Sequence, residues 1–347
     1  MSLNLTKRLI AAVVLYPLCT VLSSSAIYAA VDGPKVHWDW SMWGNKRALS
    51  AHLETMAEVV AKETDGNFTI KIHYGGALSP AKENLDNVKL GSIQGALACA
   101  PYTPGKLPGS MVLSLPFLPI FNFEQMQRVH DAVYAHPFIQ KEFKKWRAKV
   151  IMTSLVPPYE MMGVGEPPTN ILTDWEGKRV RALGGMGEAL KQVGATPTSM
   201  PAPEVYTSLE RGLVDGVTFP NTYAFAAYRL HEISNWRTTN MSLGGLACPV
   251  VVNSKAWDAL PDQYQKLIMD SVPTALSAQA AAYKAADDKN IPLFKEKKIV
   301  AITYPMEDRD KFVEKAGKPV WDEWVKEASG KRIPAQELLD LVLKAAR

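Results

Sequence analysis

The chain has 347 residues, a hydrophobic content of 47% and a formal net charge of +4. That length is too great for one ordinary core and predicts two domains. The mild charge, with no long basic run and no aromatic residues interleaved in one, excludes a nucleic-acid binder.

The first 30 residues stand apart. Lys7 and Arg8 precede an apolar run, Leu9–Leu22, and the small residues Ser23, Ser24, Ser25, Ala26, Ala29 and Ala30 follow. This pattern predicts a secretory signal peptide over residues 1–30, too short for a comfortable membrane span, and so a periplasmic location. Cys19 lies inside that run, without a lipoprotein site before it. Cys99 and Cys248 lie in apolar runs, ALACA and GLACP. They read as two buried thiols, and an oxidising compartment would also permit a bridge between them.

In chain order, Val36–Trp38 opens as a strand, and WDWSMWGN follows as a loop with three tryptophans. Lys46–Ala61 carries Leu49, Leu53, Met56 and Val60 at helical spacing. Phe68–His73 alternates as a strand, Asn84–Leu90 is a helix stopped by Gly91, and Ile93–Ala100 is an apolar strand ended by Pro101-Tyr102. Pro104–Pro119 is a loop, Glu124–Ala148 a helical region interrupted at Pro137, and Lys149–Leu155 a strand stopped by Pro157-Pro158-Tyr159. A first crossing between lobes is expected there.

Residues 177–220 repeat the rhythm of strand, helix, strand, helix, strand. Lys178–Ala182 is β-prone; Gly184, Gly185 and Gly187 break it; Glu188–Val193 is helical up to Gly194. Thr196–Met200 is extended, Glu204–Leu209 is a helix started by Pro203, and Val214–Phe219 is a third strand. The alternation predicts βαβ units and two similar α/β lobes. Beyond it come a helix at Thr222–Leu230, a crossing back over Trp236–Leu243 and a strand at Leu246–Val252. Pro261 starts a helix that pauses at Pro273, and Thr274–Phe294 continues as a long Ala-rich helix. A strand at Lys298–Thr303 and helices at Arg309–Ala328 and Gln336–Ala346 close the chain.

The ordered residues Gly177, Lys178, Val180, Arg181, Ala182, then Gly194, Pro197 and Met200, then Glu204, Val205, Tyr206 and Leu209, then Gly212, Val214, Asp215, Gly216 and Pro220 resemble a known signature. It is that of the DctP-type solute-binding proteins of tripartite ATP-independent periplasmic (TRAP) transporters. Thr64 and Gly66, Gly76 and Leu78, and Leu115-Pro116-Phe117 fit the same family, so the resemblance covers roughly residues 33–330. It implies an α/β, two-lobed periplasmic binding protein fold, a clam-shell with crossing strands and a lobe-spanning helix. We expect lobe I from 31–154 plus 241–282, and lobe II from 155–240 plus 283–347. The resemblance also puts both cysteine runs in one sheet, which makes the bridge possible.

The same resemblance makes Arg181 the ligand anchor, since the family carries an arginine at this strand position. A guanidinium grips a carboxylate through two charge-assisted hydrogen bonds, which lysine cannot do. Pattern alone would not choose it over Arg179, two residues away on the same strand face; Arg179 is expected to stay solvated. Where some keto-acid binders have Glu-Trp, this chain has Thr218-Phe219, which disfavours a metal-bridged ligand and makes Phe219 an apolar wall. Trp38, Trp40 and Trp43 lie at or past the end of the first strand, Tyr102 past the third and Tyr159 at the first crossing. Ligands sit beyond the carboxyl ends of strands in such sheets, so all five are candidates to line the cleft. Asn221, Tyr223 and Glu160 are weaker ones. Some relatives use a second arginine about twenty residues before the first; Glu160-Met161-Met162 stands there instead, which disfavours a second anionic group on the ligand.

Enzyme motifs are missing: no G-x-S-x-G, no G-x-x-x-x-G-K-[ST] and no H-E-x-x-H occurs, and the six histidines are scattered. Neither a metal nor a cofactor is expected. The sequence therefore reads as a monomeric, non-enzymatic periplasmic protein that captures a small monocarboxylate with an aromatic or apolar body and delivers it to a TRAP membrane permease. A binder of an aliphatic 2-oxo acid, a sensor module for a membrane receptor and a secreted enzyme of the same fold are the alternatives.

Overall fold

The computed structural model describes residues 30–347; the expected signal peptide lies outside the described residues, apart from Ala30. Eleven strands are assigned among them: β1 Val36–Ser41, β2 Phe68–His73, β3 Gly95–Leu97, β4 Ala148–Met152, β5 Tyr159–Gly163, β6 Arg179–Arg181, β7 Thr196–Thr198, β8 Gly216–Pro220, β9 Trp236–Thr238, β10 Val250–Asn253 and β11 Val300–Ile302.

They form two sheets with similar cores. The first has the order β2-β1-β3-β10-β4, the second β11-β9-β5-β8-β6-β7. In each, parallel pairs joined by helices (β1 with β2 and β3; β6 with β7 and β8) meet antiparallel strands that arrive from elsewhere in the chain, β10 in one and β5 in the other. βαβ units supply the parallel part, a connection that is right-handed almost without exception in proteins.

Three segments connect the sheets: helix Asp262–Glu296 with its flanks, between β10 and β11, and two shorter ones. One runs from β4 through Thr153–Val156 into β5, and the other leaves β9 and returns through Leu243–Leu246 to β10. Helix Asp262–Glu296 packs on helix Ala51–Glu63 beside the first sheet and on helix Tyr223–Ala227 beside the second. Gln279, midway along it, donates to the Leu49 carbonyl and to His52 Nδ1, and accepts from the Leu155 amide at 2.9 Å. A single carboxamide thus ties the long helix to both the first unit and a connecting segment.

Several elements differ from the sequence reading. β1 runs on to Ser41, so Trp40 is a strand residue and not a loop residue, and Trp38 lies inside the strand instead of at its end. β5 was not anticipated, because Tyr-Glu-Met-Met-Gly lacks the β-branched residues that mark a strand. The helix does not pause at Pro273: Pro273 and Pro292 both lie inside one 35-residue helix. Packing along its length outweighs the lost backbone hydrogen bonds. Conversely, Arg309–Ala328 is two helices, Met306–Ala316 and Lys318–Gly330, parted at Gly317. The last helix, Ala335–Ala345, packs on Phe123–Ala135, and Leu338, Leu339 and Val342 share a core with Leu85, Val129 and Val251. It therefore packs with the first sheet's elements, although the sequence grouped it with lobe II. Its apolar stripe needed a partner, and the pattern alone could not say which.

Of the two readings left open for the cysteines, the structure forms the bridge: Cys99, just past β3, is joined to Cys248, just before β10. A crosslink spanning 149 residues removes much loop-closure entropy from the unfolded chain, on the order of 4–5 kcal/mol in the chain-entropy account.

Candidate functional site

Arg181 ends β6. It is 0% exposed, one of the largest fully buried side chains among the described residues. Its Nε and Nη2 donate to the Met200 carbonyl at 3.1 and 2.9 Å, and its Nη1 to the Thr218 carbonyl at 2.7 Å. A guanidinium has five N–H donors, so one on each terminal nitrogen is left without a recorded acceptor. Among the described residues no carboxylate lies within ion-pair distance of it. The arrangement contrasts with Arg179, half exposed on the same strand, which grips Asp215 through Nη2 at 2.6 Å and Nε at 3.2 Å.

The Arg181 guanidinium lies over the Phe219 ring, and Phe219 stacks on Tyr228 with centroids 5.2 Å apart and planes 13° from parallel. Tyr223 and Tyr283 meet at 4.9 Å. From the first sheet's side, Trp43 packs edge-on against Tyr102 at 5.4 Å, and the Tyr102 hydroxyl accepts from the Ala202 amide at 3.2 Å. Tyr159, at the start of β5, is buried within reach of the fields of Tyr223, Tyr102 and Arg181; burial first, then its tyrosine neighbours, holds its phenol well above the ordinary value. Burial likewise pushes Tyr228 up to about 12, and Arg47 and Arg181 both oppose that rise. Tyr159 and Tyr228 therefore stay neutral hydrogen-bonding groups at any physiological pH.

Seven of the nine candidates thus fall together or beside one another: Arg181, Phe219, Trp43, Tyr102, Tyr159, Tyr223 and Asn221. Asn221 follows β8, and its Oδ1 is buried with no hydrogen-bond partner. Trp38 and Trp40 do not join them. Trp38 packs edge-on against Phe68 at 5.1 Å, and Trp40 is fully buried against Gly95. Both are first-sheet core, because β1 is longer than the alternation suggested.

Glu160 is also not available to a ligand. It is 3% exposed. Its carboxylate accepts from Thr238 Oγ1 at 2.5 Å and from the amides of Met241 and Ser242 at 3.0 and 2.8 Å. It pins the returning connection to β5, and its acceptors are spent on that.

Three residues that the sequence reading did not name belong here: Tyr228, Tyr283 and Arg47. Arg47 follows the Trp43 loop, and its Nη1 donates to the carbonyls of Trp43 and Asn45 at 2.9 and 2.7 Å. Its guanidinium lies over the Tyr228 ring at 5.4 Å. A cation just past the carboxyl end of β1 was the one available signal. Nothing in the local pattern around Tyr228 or Tyr283 sets them apart from core aromatics. Among the described residues, no group of three or more His, Cys, Asp or Glu side chains is arranged to hold a metal ion.

Two α/β units joined by crossing segments, with a buried unpaired cation and a ring-lined seam between their strand ends, define a two-lobed ligand-binding protein of the periplasmic type. The family model for bacterial extracellular solute-binding proteins, family 7 (DctP), matches residues 41–328, and the chain belongs to that family. Its members serve TRAP transporters in the periplasm, binding small molecules and delivering them to a membrane permease. Among curated proteins the chain is 24% identical over 270 residues to a monocarboxylate 2-oxoacid-binding periplasmic protein of a Nostoc species, covering 77% of this chain and 73% of that one. It is 23% identical over 282 residues to the ectoine-binding periplasmic protein TeaA of Halomonas elongata, covering 80% and 81%. Among solved structures it resembles a marine metagenome TRAP solute-binding protein, specific for aromatic acid ligands and crystallised with 3-hydroxybenzoate. The TM-score is 0.80 at 21% identity, with 90% and 98% of the chains covered.

Proposed function

We propose that this protein is a non-enzymatic periplasmic receptor that captures a small monocarboxylate with an aromatic body and presents it to a TRAP permease. The observation that carries this reading is the state of Arg181. A fully buried guanidinium with no carboxylate beside it is costly, since desolvating a cation removes several kcal/mol that only a counter-charge restores in full. Two backbone carbonyls offset part of that and fix the fork's direction. An acid supplies the remainder, and its two oxygens match the two N–H groups left over.

The rest of the wall supports a ring as the ligand's body. Trp43, Tyr102 and the edges of the Phe219–Tyr228 stack, whose outer faces are taken by Arg181 and Arg47, surround the site, and aromatic contacts, edge-on ones included, gain about 0.5–1.5 kcal/mol beyond area burial. The name of the Nostoc relative favours a second reading, an aliphatic 2-oxo acid. The number of rings at the site speaks against it. Closure of two lobes on the ligand, excluding water, is the proposed mechanism.

Calorimetric titration with benzoate and with pyruvate separates the readings. Benzoate is expected to bind the tighter by at least tenfold. Arg181→Ala is expected to weaken it by roughly 2–5 kcal/mol, as when one partner of a desolvated charge pair is removed. Unchanged affinity in Arg181→Ala would overturn the assignment.

A further inference from the structure

The site holds a second cation that the reading above does not use. Arg47 comes from the loop after β1, on the opposite side of the seam from Arg181. Its Nη1 is fixed by the carbonyls of Trp43 and Asn45. Its Nε is buried and has no hydrogen-bond partner, and the same holds for the Tyr228 hydroxyl. No carboxylate of the described residues pairs with Arg47; the nearby Glu54 is taken by Lys46 at 2.6 Å. The Tyr228 hydroxyl lies close to the Arg47 fork: a Cβ added to Gly44 would stand 2.7 Å from Tyr228 Oη, 2.9 Å from Arg47 Nη1 and 3.3 Å from Arg47 Cζ. Gly44 has φ +67°, a backbone state that also favours glycine.

Arg47 and Arg181 are linked by ring contacts. Arg181 covers Phe219, Phe219 stacks on Tyr228, and Arg47 covers Tyr228. One carboxylate satisfies one guanidinium. Buried N–H and O–H groups without partners carry a desolvation penalty, and a ligand that reaches them relieves it.

We infer that Arg47 and Tyr228 form a second, oxygen-recognising subsite, so that the physiological ligand is an aromatic monocarboxylate bearing a hydroxyl or other oxygen substituent away from its acid group. This rests on the proposed function, because Arg181 must take the carboxylate. Arg47 would donate to the substituent oxygen, and Tyr228 would donate to it or accept its proton. The missing arginine near Glu160-Met161-Met162 is then no guide to the ligand's polarity, since a second cation arrives from the other unit.

The test is calorimetric titration of the mature protein with three probes: benzoate, 3-hydroxybenzoate and 4-hydroxybenzoate. At least one hydroxy acid is expected to bind about tenfold or more tightly than benzoate, the usual worth of a hydrogen bond to a charged group. Arg47→Gln should weaken the hydroxy acids severalfold more than it weakens benzoate, so that the advantage disappears. Tyr228→Phe, which keeps the ring stack, should reduce the advantage severalfold. Arg181→Lys should weaken all three acids. If the hydroxy acids bind no more tightly than benzoate, or if Arg47→Gln weakens all three alike, Arg47 only braces the closed seam and the inference falls while the carboxylate reading stands. If the wild-type protein binds none of the three, the reading of function falls and the inference with it. Circular dichroism of each variant separates loss of contact from loss of fold.

Discussion

The guanidinium of Arg181 lies 4.7 Å from the centre of the Phe219 ring. The strand that carries the cation and the strand that carries the ring are hydrogen-bonded neighbours, with Arg181 opposite Val217. One ring therefore holds the fork flat, in addition to the two carbonyls that aim it. A buried cation–ring contact contributes about 2 kcal/mol when desolvated. Phe219→Leu keeps the volume nearly constant and removes the π face. It is expected to weaken benzoate binding by about tenfold and to cost the fold about 2 kcal/mol, since the contact is present without ligand, as read by calorimetry and urea denaturation. Equal affinity in the variant would mean that the carbonyls alone orient Arg181.

Glu160 gives a prediction of the opposite kind. Its oxygens accept from Thr238, Met241 and Ser242, and a glutamine would set an NH2 against one of these donor pairs. Glu160→Gln should lower stability by about 1–3 kcal/mol, measured as a shift in the urea midpoint. Benzoate affinity of the folded fraction should stay within about threefold. A large affinity loss without a stability loss would return Glu160 to the ligand.

Two buried histidines set an acid limit. Burial pulls His52 down to about 3 and His130 to about 4. His52 bonds Ser154 Oγ at 2.8 Å and His130 bonds Thr153 Oγ1 at 2.5 Å, both on the connecting segment after β4. In the unfolded chain both rings take up a proton near pH 6.5, while in the fold they stay neutral to about pH 3–4. The unfolded state binds more protons in that window, so stability falls as pH drops below about 6.5. The limiting slope is about 1.4 kcal/mol per pH unit for each ring. Urea unfolding at pH 7, 6, 5 and 4.5 should show this slope, and His130→Gln should make it shallower. A flat profile from pH 7 to 5 would show that neither ring is held neutral.

Much of the architecture was legible in the chain. The strand–helix rhythm of residues 177–220 and of the first hundred residues is a periodicity, and periodicity follows from which faces are buried. It gave the parallel strands, the two α/β units and the position of Arg181 at the end of β6. It misled where local and long-range preferences conflict. Pro273 reads as a stop by its own stereochemistry, yet packing on both neighbouring helices carries the helix through it. Tyr159–Gly163 has no strand signal, yet antiparallel pairing with β8 and β9 makes it one.

Composition and order along the chain determined the class of fold and the family, because these depend on residue types at fixed spacings; the choice of Arg181 over Arg179 came from the family resemblance and not from the spacing. Which aromatics stand in the seam and which stay in the core depends on where β1 stops, a matter of pairing with β2 and β3. That Glu160 is spent, and that Arg47 stands with Tyr228 from the far side, depends on contacts between residues 78 to 181 positions apart in the numbering. Such contacts leave no trace in local pattern; the first exists once β9 pairs with β5 inside one sheet, and the second once the loop after β1 meets the second unit.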